Sequence, residues 1–564
     1  MLITICSFIG FTGLVAVVTY LRVRHDDHES KDGYFLGGRG LSAIVIAGSL
    51  LLTNLSTEQM VGLSGQAFKF NISVMAWETI AALSMVIMAL FVLPRYLKSG
   101  ITTVPGFLEE RFDKATRIIT SVLFLVGFGI VYLPIVLYSG AFALINLFDI
   151  PERMNVDQFS ALCITIVLIA VVGSLYAIHG GLKAVAVSDT INGLGLLVGG
   201  LMIPVLGLWH LGEGSIMAGV ATLGRDHGEK LNSIGATSDP VPFSGLFTGM
   251  ILINCFYWCT NQGIVQRTLG ARDLATGQKG ILIAAFIKLL GPIILVLPGV
   301  IAFHLFGDSL EKGDLAYPRL VATVLPSYLV GFFGAVLLGA ILSTYNSFLN
   351  SAATLFSVDI YKELIHEQAT ESQMVRMGKR FGTLLAIGSI CLAPSIYYAE
   401  EGLYQWMKRL NGFYNVPVFT IIAVGMLSKR IPPIAAKVAL LLGVTLYTLS
   451  QYVFDVNMHF LNVHGVLFVM NVIVMVLIGM WWPLEEPYVQ QYSRDVDITP
   501  WRFARVTGVV VAVATIAIYL YFGQFAPAEV MEYAKSVISV VVVVLLVGAT
   551  GAGLWRLRSG RVAD

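Results

Sequence analysis

Gly48-Ser-Leu-Leu-Leu-Thr53-Asn54-Leu55-Ser56-Thr57-Glu58-Gln59-Met-Val-Gly-Leu-Ser-Gly65 decides how this chain folds. It lies inside an apolar run long enough to span a bilayer, yet its middle, Thr53 to Gln59, is too polar for a helix that only faces lipid. Backbone at membrane depth must be hydrogen-bonded internally unless it lines a wet cavity, and polar groups held there mark solute or ion paths. A helix interrupted at its centre presents free carbonyls on one half and free N–H groups on the other, which transporters use to hold ions and solutes. The alternative is a packed helix whose Ser, Thr and Asn bond back to their own backbone.

The surrounding composition supports a membrane setting. The 564 residues are 56% hydrophobic and 13% charged, with a formal net charge of +1, and the mean hydropathy is +0.79. A water-soluble protein of this size carries roughly a quarter charged residues, so an all-α polytopic protein in a lipid bilayer is expected. The charge balance gives no reason to expect nucleic acid, and no obligatory protein partner is inferred. Cys6, Cys163, Cys255, Cys259 and Cys391 all lie in apolar runs and suggest neither a disulfide framework nor a zinc site.

Outward from the broken helix at about Leu41–Phe68, Met1–Leu21 reads as a retained helix, because it lacks a basic n-region and a cleavage site. Further spans are expected near Ser73–Leu97, Arg117–Leu147, Phe159–Ile178, Ala184–Leu211, Phe243–Leu269, Gly280–Phe306 and Leu320–Tyr361. After these come Arg380–Tyr398, Leu403–Met426, Ala435–Phe454, Val463–Met480, Arg502–Phe522 and Ser536–Trp555. That makes roughly fifteen helices (or fourteen), each near or above the ~20 residues needed to cross. Clusters such as Arg95/Lys98, Lys114/Arg117, Arg267/Arg272/Lys279, Lys429/Arg430 and Arg502/Arg505 fit cytoplasmic loops, with the N-terminus outside and the C-terminus inside. Pro483–Pro500 reads as a solvated connector, and no stretch is long enough for an appended catalytic or sensory domain. His179, His210 and His304 are isolated, without the spacing of a nucleophile or metal site, so an enzyme is not expected.

A second interruption follows five spans after the first. In Asn254-Cys-Phe-Tyr257-Trp258-Cys-Thr260-Asn261-Gln262-Gly263, amides and aromatics replace aliphatics at mid-membrane. Two broken helices at corresponding positions of two five-helix units mark an inverted-repeat transporter with its solute between them. Ser343, Thr344 and Ser347 then share one face of the long eighth core segment.

These segments resemble the sodium/solute symporter family, especially its sugar-carrying branch. The residues that carry the resemblance are Tyr34-Phe-Leu-Gly37, Asn54-Leu-Ser-Thr-Glu-Gln59, Trp77-Glu78, Tyr176-Ala-Ile-His-Gly-Gly181 with Asp189, and Asn254 through Gln266-Arg267-Thr268-Leu269. Lys288, Pro292, Leu297-Pro-Gly299, Ser343-Thr344, Asn350-Ser-Ala, Asp359-Ile-Tyr-Lys362, Gln405 and Asn411-Gly412 continue it in order. The resemblance implies a LeuT-type five-plus-five inverted repeat with one helix before the core and about four after it. Residues 1–40 would form the extra helix and its loop, 41–211 the first repeat, 212–428 the second, and 429–564 the additional helices.

It further implies a sodium-driven importer of a monosaccharide or sugar derivative, working by alternating access in a bacterial plasma membrane. Sodium would sit on the carbonyls of Leu52, Leu55 and Ala340 and the hydroxyls of Ser343 and Thr344. A hard monovalent cation suits such neutral oxygens. Asp189 and Ser347 are a candidate second sodium position, where Asn346 interrupts the family's hydroxyls. Asn54, Gln59, Glu78, Asn254 and Lys288 correspond to the sugar position, with Tyr257 as an aromatic closing over the sugar and Trp258 as a further flat face. The departures are Ala81, where sugar members carry a hydroxyl, and Lys408, beside Arg409, where they carry a glutamine. Lys408 therefore joins the candidate solute contacts and raises the alternative of an acidic sugar such as a uronate, sialic acid or a sulfated sugar. A transporter-like membrane sensor is the other alternative.

Overall fold

Several helix starts in this chain are set by side-chain caps. Ser42, Thr103, Asp113, Asp157 and Asp273 each accept a backbone N–H from the first turn they precede, and Thr370 with Gln373 closes a reciprocal capping box. The computed structural model describes residues 2–559 other than 27–28, 311, 399–402 and 455.

Among the described residues, eleven helices are long and apolar enough to cross a membrane, and 14 spans result if each of three bent pairs counts as one. In chain order the helices are α1 (Leu2–Val23), the pair α2 (Ala43–Asn54) and α3 (Thr57–Lys69), α4 (Ile72–Ser99), α5 (Lys114–Leu147), α6 (Gln158–Ile178) and α7 (Gly180–Leu211). Next come the pair α8 (Phe243–Cys259) and α9 (Gln262–Leu269), the pair α10 (Leu274–Lys288) and α11 (Pro292–Phe306), α12 (Tyr328–Ile365) and α13 (Glu371–Tyr398). The last are α14 (Leu403–Leu427), α15 (Pro433–Tyr452), α16 (Phe460–Trp481), α17 (Ala504–Gly523) and α18 (Ala528–Ser559). The upper count of 14 is the smaller number expected from the sequence, and α18 is not among these candidates.

Three features differ from the expected spans. The stretch expected as one helix from Gly280 bends by 43° between α10 and α11, because Pro292 cannot donate to the preceding turn. The segment from Leu320 is split by Pro326, so a short helix over Ala316–Val324 precedes α12. α6 runs directly into α7 through Gly181, whose φ of +60° is left-handed and whose missing Cβ leaves room for the Tyr34 carbonyl.

Pro483–Pro500 is also not a free connector. Leu484 and Tyr488 donate backbone bonds to the Arg430 and Lys429 carbonyls (both 2.8 Å), Ser493 donates to Lys98 (3.0 Å), and Leu274 donates to Asp497 (2.9 Å). Tyr488 adds a side-chain bond to Glu110 at 2.9 Å. The segment is a strap joining several basic loop clusters on one face of the molecule, called the basic face below.

The two broken helices occupy the centre. α2 packs against α7, α10 and α12, and α3 packs against α5, α11 and α14. α8 packs against α4 and α14, while α15, α16 and α17 lie outside this core.

Candidate functional site

The first break falls at Leu55 and Ser56, where α2 and α3 meet at 54°. Leu55 donates its N–H to Leu51 (2.7 Å), but the Ser56 N–H turns back to the Asn54 carbonyl (2.8 Å) instead of closing the next helical bond onto Leu52. The Ser56 side chain makes no capping bond. Carbonyls at the end of α2 are thereby left for partners outside the helix.

α12 faces this opening. The Thr344 hydroxyl donates to the Thr53 carbonyl at 3.1 Å and to Ala340 at 3.2 Å. The Thr53 hydroxyl lies 3.3 Å from both Ser343 Oγ and Ser347 Oγ. The expected sodium residues Leu52, Leu55, Ala340, Ser343 and Thr344 thus lie around one junction, and Thr53 supplies a further carbonyl and hydroxyl. The donor set consists of neutral oxygens.

The second break, at Thr260 and Asn261, is closed by the protein itself. Asn261 caps Gly263 N–H at 2.9 Å, and the Thr260 hydroxyl returns to Phe256 at 2.7 Å. Gln262 accepts from Val104 N–H (2.8 Å) and donates to Thr102 (3.2 Å), while Tyr96 donates to the Cys259 carbonyl at 3.0 Å.

Between the breaks lies a small, largely enclosed cavity lined by Asn54, Gln59, Trp77, Tyr132, Ile253, Asn254, Phe256, Tyr257, Asn411 and Asn415. Four expected solute residues, Asn54, Gln59, Asn254 and Tyr257, are among them. Asn254 holds its amide by donating to Met250 at 3.0 Å. Gln59, with its amide nitrogen turned inward, reaches Glu78 Oε1 at 3.3 Å and the Asn54 carbonyl at 2.5 Å. Asn54 Oδ1 and Asn415 Oδ1 are buried acceptors without a hydrogen-bond partner.

Glu78, Lys288 and Trp258 stand behind this wall and do not line it. The Lys288 ammonium pairs directly with the Glu78 carboxylate, both side chains being fully buried, and Glu78 reaches over Gly291 in the α10–α11 bend. The Trp258 ring lies 5.9 Å from the Lys288 nitrogen. Adjacent positions on a helix point about 100° apart, so Trp258 cannot share the direction of Tyr257.

Arg267, expected in a basic loop cluster, is instead fully buried in α9. Its Nε donates to Ser49 at 2.7 Å, and its two terminal nitrogens donate to the Gly263 carbonyl and to Ser347. Ser49 in turn donates to Asp189 at 2.5 Å. Asp189 and Ser347, the candidate second cation position, are therefore joined through an arginine.

The sequence model described as "Sodium:solute symporter family" matches residues 34–443. The chain belongs to the sodium:solute symporter family. It is 52% identical over 521 residues to the uncharacterized symporter YidK of Escherichia coli (strain K12), covering 92% of this chain and 91% of that one. The sodium/glucose cotransporter of Vibrio parahaemolyticus is 30% identical over 431 residues, which is 72% of this chain and 77% of that one. Among solved structures, a Na+-coupled sialic acid symporter in a substrate-bound outward-open state superposes with a TM-score of 0.74 at 21% identity, covering 86% of this chain and 99% of that one. The fold is the LeuT-type fold expected, and the protein is a multi-pass membrane symporter with sodium as its coupled ion.

Within this symporter, Trp77, Tyr132, Asn411 and Asn415 are cavity residues that the sequence reading did not single out as solute contacts. The signal for the last two was present, since amides four apart share a helix face. The side chain of Lys408 lies outside the described residues.

Proposed function

We propose that this symporter carries a neutral sugar or cyclic polyol together with sodium. The observation that supports this is the chemistry of the cavity. Among the described residues, five amide side chains and three aromatic rings with polar edges line it, and none of the described lining residues is charged. Two of its amide oxygens, on Asn54 and Asn415, lack a donor. A buried acceptor without a donor costs roughly 1–3 kcal/mol, and sugar hydroxyls supply donors while also accepting from the amide nitrogens. A carboxylate or sulfate has no hydrogen to give these oxygens. Lys288 is already neutralised by Glu78, while the side chain of Lys408, which raised the acidic alternative, lies outside the described residues.

Sodium would sit at the α2–α12 junction on the carbonyls released at Leu52 and Leu55, the Ala340 carbonyl and the Ser343 and Thr344 hydroxyls. An ion there draws α2 onto α12, and the same break carries Asn54 into the solute cavity, which is how ion and solute binding reinforce one another. Tyr257 closes the cavity on the side of α9. The basic face is cytoplasmic by the positive-inside rule, which puts the N-terminus outside and the C-terminus inside, in a bacterial inner membrane. The two five-helix sets then rock about this centre as inverted repeats.

Ligand binding to purified protein in detergent, with sodium or with choline, tests this reading. Neutral hexoses and inositols should bind in sodium and lose affinity in choline, while uronates, sialic acid and sulfated sugars bind weakly or not at all. Preferential sodium-dependent binding of an acidic sugar would overturn the neutral assignment.

A further inference from the structure

We infer that Arg267 is this transporter's built-in cation on the basic-face side of the sodium junction, so that the pocket around Asp189 takes no second sodium.

The argument begins with burial. Arg267 and Asp189 side chains are both fully buried, with the guanidinium 3.8 Å from the carboxylate. A charge in such a place must be compensated. The guanidinium meets Asp189 across this gap and through Ser49, which accepts from Arg267 and donates to Asp189. Apart from Asp189 Oδ1, the oxygens a sodium ion would need there are engaged by the protein. Ser49 and Ser347 both accept from Arg267, and the Gly263 carbonyl does as well.

Charge arithmetic then sets the ion count. Arg267 and Asp189 sum to zero, leaving a neutral set of carbonyls and hydroxyls at Thr53, Ser343 and Thr344 to hold one sodium. A second sodium placed about 4 Å from the guanidinium would bind roughly a thousandfold more weakly from repulsion alone. Removing Arg267 reverses the balance. Asp189 becomes an uncompensated acid beside Ser49, Ser347 and the Thr53 hydroxyl, which together form a hard oxygen site for a cation.

The same contacts give Arg267 a positioning role. It reaches α2 through Ser49, α12 through Ser347 and α7 through Asp189, joining the basic-face halves of both broken helices to the helices that carry the ion.

Equilibrium binding of radioactive sodium to the purified protein, without any sugar, tests this inference independently of the solute. One ion per chain is expected for the wild type, two for Arg267→Gln and one for Arg267→Lys. Two ions per chain in the wild type, or one in a folded Arg267→Gln, would overturn it. Should Arg267→Gln not fold, the neutral double variant Arg267→Gln/Asp189→Asn should fold and bind one ion within about threefold of wild-type affinity. A folded double variant that binds no sodium would make Asp189 a ligand and likewise overturn the inference.

Discussion

The two broken helices look alike in sequence and behave differently in the structure. At the second, Asn261 Oδ1, the Thr260 hydroxyl and Gln262 bond neighbouring backbone, with only the Asn261 amide nitrogen left over, and Tyr96 closes onto Cys259. At the first, Ser56 abandons Leu52 for Asn54 and leaves its own side chain out of the cap. A helix break in a membrane is therefore not by itself a binding site. It becomes one where a polar side chain at the break is left without a partner, as the Asn54 amide oxygen is, and where a second element brings matching oxygens, as α12 does with Ser343 and Thr344. The closed break still matters, because it holds Tyr257 and Asn254 rigidly against the cavity.

The largest expected effect tests whether the charges near the open break belong to the solute or to the scaffold. Glu78→Gln strands a fully buried ammonium and should cost about 3–5 kcal/mol of stability. Glu78→Gln/Lys288→Met should recover most of that loss in a thermal melt. A double variant that regains stability yet binds no neutral sugar would return the pair to the solute site.

Next in size is Thr344→Ala. Removing a hydroxyl that binds Thr53 at the junction should raise the sodium concentration for half-maximal binding by roughly 10–100-fold. Unchanged sodium dependence would move the ion elsewhere.

Asn415→Ala should weaken sugar binding about tenfold by removing one acceptor, leaving sodium binding intact. Equal loss of both would mean that α14 acts through packing alone.

The smallest effect separates the breaks directly. Asn261→Ala removes a cap worth about 1 kcal/mol and should lower the melting temperature without altering sodium affinity. A shift in sodium affinity would show the second break to be less closed than its hydrogen bonds imply.

Much of this was legible in the sequence because polarity inside an apolar run has few explanations. Thr53 to Gln59 marked the open break, and Ser343, Thr344 and Ser347 marked the facing helix. What stayed hidden depended on partners far along the chain. Nothing near Asn261 shows that Val104, Thr102 and Tyr96 will close its break. Arg267 sits close to Arg272 and Lys279 and reads as part of a loop cluster until Asp189, 78 positions earlier, meets it in space. The strap over Pro483–Pro500 is bound largely through its backbone, which leaves little side-chain pattern to read.

The most direct test of sodium-driven symport of a neutral polyol is uptake into proteoliposomes under an inward sodium gradient. Radiolabelled glucose, galactose and myo-inositol would be offered in turn, beside glucuronate and sialic acid. At least one neutral polyol should accumulate above its outside concentration, and collapse of the sodium gradient should abolish that accumulation. Accumulation of an acidic sugar alone, or neutral-sugar uptake indifferent to sodium, would contradict it.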